Sequence, residues 1–436
     1  MSRPQFSSRF ATLLAMAAFA VGVGNVWRFP YMMGQNGGSA FLLIYLVFIL
    51  ALAVPALASE WSFGRATQSG PVTAFRAAFG PTFGLPLGFI LLFATFMALS
   101  YYTIIVGNII YTAWFALRHG FDAQSIGAFE HGLANDGMQF VYAIGLTVGC
   151  LWIVQRGLRN GIERLNMLLM PVFGIVVIYM VGVALTLDGA IAELRDFLRP
   201  DFSQAGPRVW FAAMGQACFS IGISGTIGVL YGSYLRPQEE LVPSAVVTGF
   251  IDTGAALLAA LFVVPAVLVF GIDLAAGPTL LFNTLPRLFE VMPGGRWLAG
   301  PFLAAWAMVA VLTIVAAFEA TIGALHDYSG DRCSRTRWTL IIGVALVAVM
   351  LPTAFNPQII GTLDLIFGSG MFMFGSLMAV IALGWGLGKA VLRTQIALGL
   401  GPTMTNFLTI WIRYVVPAVL FAILAGFILS SLGVVG

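Results

Sequence analysis

Charged and chemically reactive side chains are scarce in this 436-residue sequence. Asp, Glu, Lys and Arg make up 9% of it, and it has only three cysteines and three histidines. Cys150, Cys218 and Cys333 form no C-x-x-C pair, which argues against a disulfide framework or a zinc site. No nucleophile stands beside a base partner, so an enzyme is not expected. The small net charge of +3 gives no sign of nucleic-acid binding.

Hydrophobic residues, by contrast, make up 60% of the sequence, which excludes a soluble domain of ordinary composition. A membrane-spanning helix needs about 20 mostly apolar residues. The sequence therefore predicts an all-α polytopic membrane protein of about 11 transmembrane helices in the cell's inner (plasma) membrane, its first segment retained rather than cleaved. The predicted spans are 10–31, 39–62, 84–117, 138–155, 162–186, 208–234, 242–272, 299–325, 338–354, 360–387 and 406–431.

Basic residues are concentrated in every second loop between the predicted spans, from Arg3 and Arg9 at the start to Lys389 and Arg393 near the end. Because cytoplasmic loops carry an excess of Lys and Arg, this bias predicts a cytoplasmic N-terminus. An odd number of helices then places the C-terminus outside.

Two of the predicted spans are interrupted. The first holds Gly22, Gly24, Asn25 and Arg28, and the sixth holds small and hydroxyl residues over 215–226. Such glycines also permit close helix packing, which is the alternative explanation. Interrupted spans at corresponding positions of two halves are typical of inverted-repeat transporters. We therefore predict one transporter domain over 1–436, with repeats at about 8–187 and 206–388 and an accessory helix at 406–431.

Several motifs carry a family resemblance. They are Ala15-Met16-Ala17, the run from Gly22 to Pro30, Asn36 to Phe41, Glu60-Trp61, Gly64-Arg65, Tyr101-Tyr102, Gly161 to Arg164, Pro200 to Phe202, Gly215-Gln216 and Tyr231 to Tyr234. In these motifs the sequence resembles the neurotransmitter:sodium symporter family, whose structural reference is a bacterial leucine transporter. The resemblance implies two five-helix inverted repeats, sodium-driven uptake of a small zwitterion by alternating access, and no organic cofactor.

The resemblance also implies ligands for one or two sodium ions. The first site would use the Ala20 carbonyl, Asn25, Ser220 and Asp252, and the second the carbonyls of Ala18, Val21 and Val309 with the Thr313 hydroxyl. At the second site the family has paired polar positions, where this chain reads Leu312-Thr313-Ile314. The second site is therefore expected to be weakened or absent.

For the substrate site, the resemblance implies Ala20, Gly22, Val23, Gly24, Ala98, Tyr102, Phe219, Ser220, Gly222, Gly225 and Ala317. Gly22 stands where the monoamine transporters carry an aspartate, which favours an amino-acid substrate. Small side chains at several wall positions predict a bulky hydrophobic or aromatic amino acid. The alternative is that neighbouring residues fill the space.

Asp252 is unusual, because the family has asparagine there. In the family, this position adjoins a chloride site, and the other positions of that site match Tyr45, Gln216 and Ser220 in this sequence. A fixed carboxylate there predicts chloride-independent transport, with Asp252 either permanently ionised or exchanging a proton.

Two pairs resemble the family's gates: Arg28 with Asp364 outside, and Arg3 with Asp327 inside, the latter assisted by Ser233 and Tyr234.

Two alternatives to this function remain. One keeps the fold but couples it to one sodium ion or to protons, and the other is an amino-acid receptor or channel that does not transport. The expected partners are the amino acid and the lipid bilayer, and no oligomeric state follows from the sequence.

Overall fold

In a computed structural model, which describes residues 4–199, 201–203, 205–272 and 281–431, the chain is a bundle of α-helices. The first helices are α1 (Arg9–Ala20), α2 (Val23–Gln35), α3 (Ser39–Thr67), α4 (Pro71–Arg118), α5 (Ile126–Leu133), α6 (Asp136–Gln155), α7 (Leu158–Leu185) and α8 (Ala190–Phe197). The remaining helices are α9 (Pro207–Ser220), α10 (Ile227–Ser233), α11 (Leu241–Val269), α12 (Thr284–Val291), α13 (Gly295–Ser329), α14 (Arg335–Phe355), α15 (Ile359–Gly386), α16 (Lys389–Ile396) and α17 (Pro402–Leu429).

The all-helical membrane fold is confirmed. Among the described residues, nine helices are long and apolar enough to cross a membrane, and the pair α1 and α2, bent by 65°, makes a tenth span. The short helices α9 and α10, separated by residues 221–226, occupy the predicted sixth span. Counting them as one crossing gives the predicted eleven.

The largest difference from prediction concerns α4. It begins at Pro71, whereas the predicted span begins at 84, and it is interrupted at Gly80, where φ is 80° and ψ is 174°. Left-handed φ values of this kind favour glycine. Gly80 and Pro81 both disfavour helix, yet helix continues on either side of them.

Small residues let α3 and α10 pack closely. A Cβ atom at Gly64 would lie 1.8 Å from the Val229 carbonyl oxygen, and one at Gly232 would lie 2.4 Å from the Trp61 carbonyl oxygen. At these two positions the packing explanation for glycine therefore holds. The contact fixes α10 against α3 and so fixes one side of the second helix break.

Both helix breaks face the same interior space. Residues from α1, α2, α4, α9, α13, α15 and α17 surround it, and α11 packs against α1 and α2 behind it. The division into two inverted repeats stays a prediction. What the structure shows is that the two interrupted segments meet at the centre of one hydrophobic core.

Candidate functional site

A cavity of about 220 Å³ lies between the two helix breaks. Ten of the eleven predicted substrate positions line it: Ala20, Gly22, Val23, Gly24, Ala98, Tyr102, Phe219, Ser220, Gly222 and Ala317. Gly225 does not, because the backbone of Gly375 in α15 occupies the space beside it, 2.1 Å from where a Cβ atom would be. The cavity is thus walled mainly by small and aromatic residues.

The first break exposes backbone to this cavity. After α1 ends at Ala20, Val21 and Gly22 are extended, and α2 starts at Val23. The first N–H groups of a helix have no partner within the helix and favour anions. The Tyr102 hydroxyl lies against the backbone of Val23. Together they offer hydrogen-bond donors suited to a carboxylate.

The second break depends on glycine and on a buried glutamate. Gly222 and Gly225 have φ values of 74° and 70°, in the left-handed region. The fully buried Glu60 carboxylate accepts 2.9 Å hydrogen bonds from the N–H groups of Ser224 and Gly225. In a membrane interior these groups would otherwise lack partners, so Glu60 stabilises the unwound segment.

Asp252 of α11 is fully buried and joins both breaks. Its Oδ1 accepts a 2.8 Å hydrogen bond from the Asn25 side chain, and its Oδ2 accepts a 2.7 Å bond from the Ser220 hydroxyl. The Asn25 side-chain oxygen in turn accepts the Gly22 N–H at 2.9 Å. Three side chains predicted for the first sodium site are therefore in direct contact, and all of them offer hard oxygen ligands.

Unpaired polar groups occur at positions of the predicted anion region. Tyr45 is fully buried, and its hydroxyl faces Asp252, Ser220 and Thr253 without forming a hydrogen bond of normal length and angle in the described part of the chain. Both polar atoms of the buried Gln216 side chain also lack partners there. Buried donors without acceptors are costly. The predicted anion region thus holds spare hydrogen-bonding capacity next to a carboxylate.

The predicted second sodium site has one side-chain hydroxyl, that of Thr313. It reaches the Val309 carbonyl at 3.5 Å and lies 3.5 Å from where a Gly22 Cβ atom would be. Ala18, Val21 and Val309 are buried around it, and so is Leu312 at the other family position. Because Leu312 is apolar, it supplies no ligand.

The two residues of the predicted outer gate form no direct contact in the described structure. Arg28 and Asp364 both line the cavity, and they interact electrostatically without a direct ion pair in the described structure. The Arg28 guanidinium instead lies 3.8 Å above the Phe219 ring, and Asp364 accepts a 2.9 Å hydrogen bond from Tyr101.

At the opposite end, Phe6 is fully buried and packs on Tyr231 and Tyr234, with ring centroids 6.0 and 6.4 Å away. Asp327 accepts a 2.9 Å hydrogen bond from the Gly70 N–H. Its predicted gate partner Arg3 lies outside the described residues. The Ser233 hydroxyl bonds to the Leu230 carbonyl. Aromatic packing therefore fills the interior at this end of the bundle.

Comparison with known proteins identifies the family. The profile described as "Sodium:neurotransmitter symporter family" matches residues 3–125 and 121–433. The chain belongs to this family.

Two relatives and one solved structure are similar to this chain over most of their length. The "Uncharacterized sodium-dependent transporter YhdH" of Bacillus subtilis is 32% identical over 379 residues, which cover 84% of this chain and 82% of that protein. An "Uncharacterized sodium-dependent transporter" of Haemophilus influenzae is 28% identical over 450 residues, 97% of each. The crystal structure of MhsT in complex with L-phenylalanine superimposes with a TM-score of 0.86 at 28% identity, covering 97% of this chain and 99% of that one. As a member of this symporter family, the protein is a transporter rather than an enzyme.

One charged cluster of this symporter was not predicted from the sequence. Glu319 of α13 is buried, accepts a 2.7 Å hydrogen bond from Tyr234 and pairs closely with Arg335. Arg335 also donates to the Val154 carbonyl at 2.9 Å. Glu319 falls inside the predicted span 299–325, so an acidic residue within an apolar run was the available signal. Its partner depends on tertiary packing.

Proposed function

We propose that the protein is a sodium-coupled symporter of amino acids with large hydrophobic or aromatic side chains, working by alternating access and independently of chloride. The N-terminus is cytoplasmic and the C-terminus external, because this arrangement places the basic loops inside the cell. Amino acid and sodium enter the central cavity together, and the lipid bilayer surrounds the helices.

The observation that carries the proposal is the contact of Asn25, Ser220 and Asp252 at the meeting point of the two breaks. Oxygen-rich groups around an unwound backbone suit a sodium ion. The same cavity holds helix N–H groups and the Tyr102 hydroxyl for a carboxylate. One end of an amino acid and its coupled ion are thereby held side by side.

The cavity wall supports a large apolar side chain. Ala98, Gly222 and Ala317 leave room, and Ile223, Ile227 and Met373 supply apolar surface. MhsT, which matches this fold, was crystallised with L-phenylalanine. This combination of space and apolar lining supports the proposed substrate class.

Asp252 supports chloride independence. Its carboxylate provides a fixed negative charge beside the predicted sodium position and beside the unpaired Tyr45 hydroxyl. At about 4 Å, opposite charges attract by about 4 kcal/mol at an effective dielectric constant near 20. A mobile anion is then not needed to balance sodium.

The test is uptake of labelled L-phenylalanine, L-leucine and glycine into proteoliposomes. Gradients of sodium or protons are imposed separately, with chloride present or replaced by gluconate. Accumulation of phenylalanine and leucine that needs sodium and ignores chloride is expected. A requirement for a proton gradient alone would favour altered coupling, and binding without accumulation under every gradient would favour a receptor.

Substrate choice has its own readout in the same assay. If glycine displaces labelled phenylalanine while leucine and tryptophan do not, the large-side-chain part of the proposal is wrong even when sodium coupling holds. A variant that tests the pocket directly is Ala317→Leu, whose larger side chain fills the wall of the cavity. With labelled alanine added to the assay, the variant is expected to reduce uptake of phenylalanine about tenfold more than uptake of alanine, since one lost pocket contact is worth about 1–3 kcal/mol.

A further inference from the structure

A positively charged side chain lies within the last span. Arg413 follows Pro402 by eleven residues in α17, which places it about 16 Å along the helix axis at 1.5 Å per residue. Charged groups within a span are costly and usually have a function. The central cavity does not include Arg413.

Two irregular helix turns fix the position of Arg413. Residues Trp411–Val415 of α17 and Ala382–Gly386 of α15 each form a π-helical turn. Such turns alter the regular hydrogen bonding, and in a membrane each carbonyl needs a donor. The Trp385 indole N–H donates to the Arg413 carbonyl at 3.1 Å. The two turns are thus joined at Arg413.

The guanidinium of Arg413 is stacked but not paired. Its Cζ lies 4.2 Å from the Trp385 ring centroid and 5.8 Å from that of Tyr414. Its Nε is buried without a hydrogen-bond partner, and no ion pair of Arg413 occurs among the described residues. Stacking on aromatic faces leaves the five N–H donors of a guanidinium without acceptors. The in-plane donors of the group therefore remain available for an anion.

Exposed aromatic and basic residues beside this guanidinium mark one edge of the bilayer. Trp385 is the last residue but one of α15, and exposed Lys389 follows three residues after α15 ends. Trp385 and Tyr414 are 50% and 53% exposed on the outer surface of the bundle. Exposed tryptophan and tyrosine are enriched at the level of lipid headgroups. From α17, the long Arg413 side chain can extend its donors towards the phosphate groups at that edge.

We propose that Arg413, with Trp385 and Tyr414, binds the phosphate of an anionic phospholipid in the leaflet that contacts the Lys389 end of the bundle. Arginine suits this role because its planar fork can donate two parallel hydrogen bonds to phosphate. The acyl chains would lie along the exposed apolar surface of α17, where Phe407 and Ile410 are 52% and 57% exposed. The site is separate from the amino-acid cavity and does not depend on the proposed substrate.

Native mass spectrometry of the full-length purified protein tests this site. The protein is titrated with phosphatidylglycerol or phosphatidylcholine, and the lipid retained per protein is counted. Arg413→Gln is expected to weaken phosphatidylglycerol retention about tenfold, equivalent to about 1.4 kcal/mol. Arg413→Lys, which keeps the charge and loses the fork, is expected to fall in between. The matched control is Lys389→Gln, an exposed cation at the same end, with less than a twofold effect.

Three results would overturn the site. They are equal phosphatidylglycerol retention by Arg413→Gln and the unchanged protein, equal retention of both lipids, and displacement of the lipid by inorganic phosphate or glycerophosphoglycerol at the same concentration. The last would mean a site for free anions. If Arg413→Gln does not give monodisperse protein, Trp385→Ala replaces it.

Trp385→Ala removes the stacking surface while keeping the guanidinium. It is expected to weaken phosphatidylglycerol retention about threefold, in line with a cation–π contribution of about 0.5–1 kcal/mol. Trp297→Ala is its control, since Trp297 is an exposed tryptophan on α13. Equal retention by the two tryptophan variants would also overturn the site.

Discussion

The side-chain amide of Asn25 donates to two oxygens of Asp252, the carboxylate at 2.8 Å and the main-chain carbonyl at 3.1 Å. Its own oxygen accepts the Gly22 N–H. Asn25 therefore connects the first helix break to α11 through three hydrogen bonds. A movement of the break relative to α11 must break these bonds or displace Asp252, so the state of the carboxylate is coupled to the conformation of the break.

Replacing Asp252 by Asn separates charge from shape. An asparagine can still accept from Asn25 and donate to Ser220, so the variant removes mainly the negative charge. We expect the sodium concentration for half-maximal phenylalanine uptake to rise about tenfold or more, since a charge pair at intermediate dielectric exceeds 1.4 kcal/mol. Chloride is expected to stimulate the variant. The measurement is uptake against sodium concentration, with and without chloride.

Thr248→Val is the matched control for that experiment. Thr248 is a buried residue of the same helix, and its hydroxyl has no partner in the described part of the chain. The control is expected to keep its sodium dependence within twofold. An Asp252→Asn protein with unchanged sodium dependence and no response to chloride would contradict the charge-replacement proposal.

The long helices and the positions of both breaks could be predicted because each depends on local sequence. Apolar runs of sufficient length specify spans, and glycines beside Asn25 or Ser220 specify interruptions. The boundaries of α4 could not be predicted, because Gly80 adopts a left-handed conformation between two helical segments. The local propensities of glycine and proline predict a kink at Gly80, but they do not predict that the helix continues on both sides of it.

Within the site, ten of the eleven predicted substrate positions line the cavity, and the residues that the sequence did not place are those set by distant packing. Gly225 is next to the cavity in sequence, but a close approach of Gly375 separates it from the lining. Glu319 and Arg335 are sixteen residues apart on different helices, and only their packing brings them together. The same holds for the lipid-facing contact of Arg413 with Trp385.

Glu60→Ala tests the support of the second break. The change leaves the N–H groups of Ser224 and Gly225 buried without an acceptor, at about 1–3 kcal/mol for each. We expect a loss of thermal stability and of uptake. Glu60→Gln, whose carbonyl still accepts, is expected to lose much less. The measurement is the unfolding temperature in detergent, alongside uptake.

Ser62→Ala on the same helix is the control, because the buried Ser62 hydroxyl has no partner in the described part of the chain. Its unfolding temperature is expected to match that of the unchanged protein. If Glu60→Ala unfolds no earlier than Ser62→Ala, Glu60 does not stabilise the break.

Gly24→Ala tests the contact beneath the outer gate. A Cβ atom there would lie 2.8 Å from Cε1 of Phe219, the ring on which Arg28 stacks. The ring can shift, so we expect little loss of stability. The displaced Arg28 is expected to raise the phenylalanine concentration for half-maximal uptake about tenfold, or about 1.4 kcal/mol. Gly149→Ala, in open space on α6, serves as control and should change neither quantity. Unchanged uptake by Gly24→Ala would show that the Phe219 position does not matter.

Arg335→Ala tests the ion pair between Arg335 and the buried Glu319. Removing one partner of a buried ion pair leaves Glu319 uncompensated and costs about 3–5 kcal/mol. We expect a lower unfolding temperature, and easier labelling of a cysteine placed at Phe6, because Glu319, which accepts the Tyr234 hydrogen bond, is no longer held by Arg335. Glu319→Gln in the same protein should restore much of the stability, since the uncompensated charge is gone. Arg337→Ala, an exposed arginine on the same helix, is the control. If the double variant is as unstable as Arg335→Ala, the loss comes from the Val154 contact and not from the charge of Glu319.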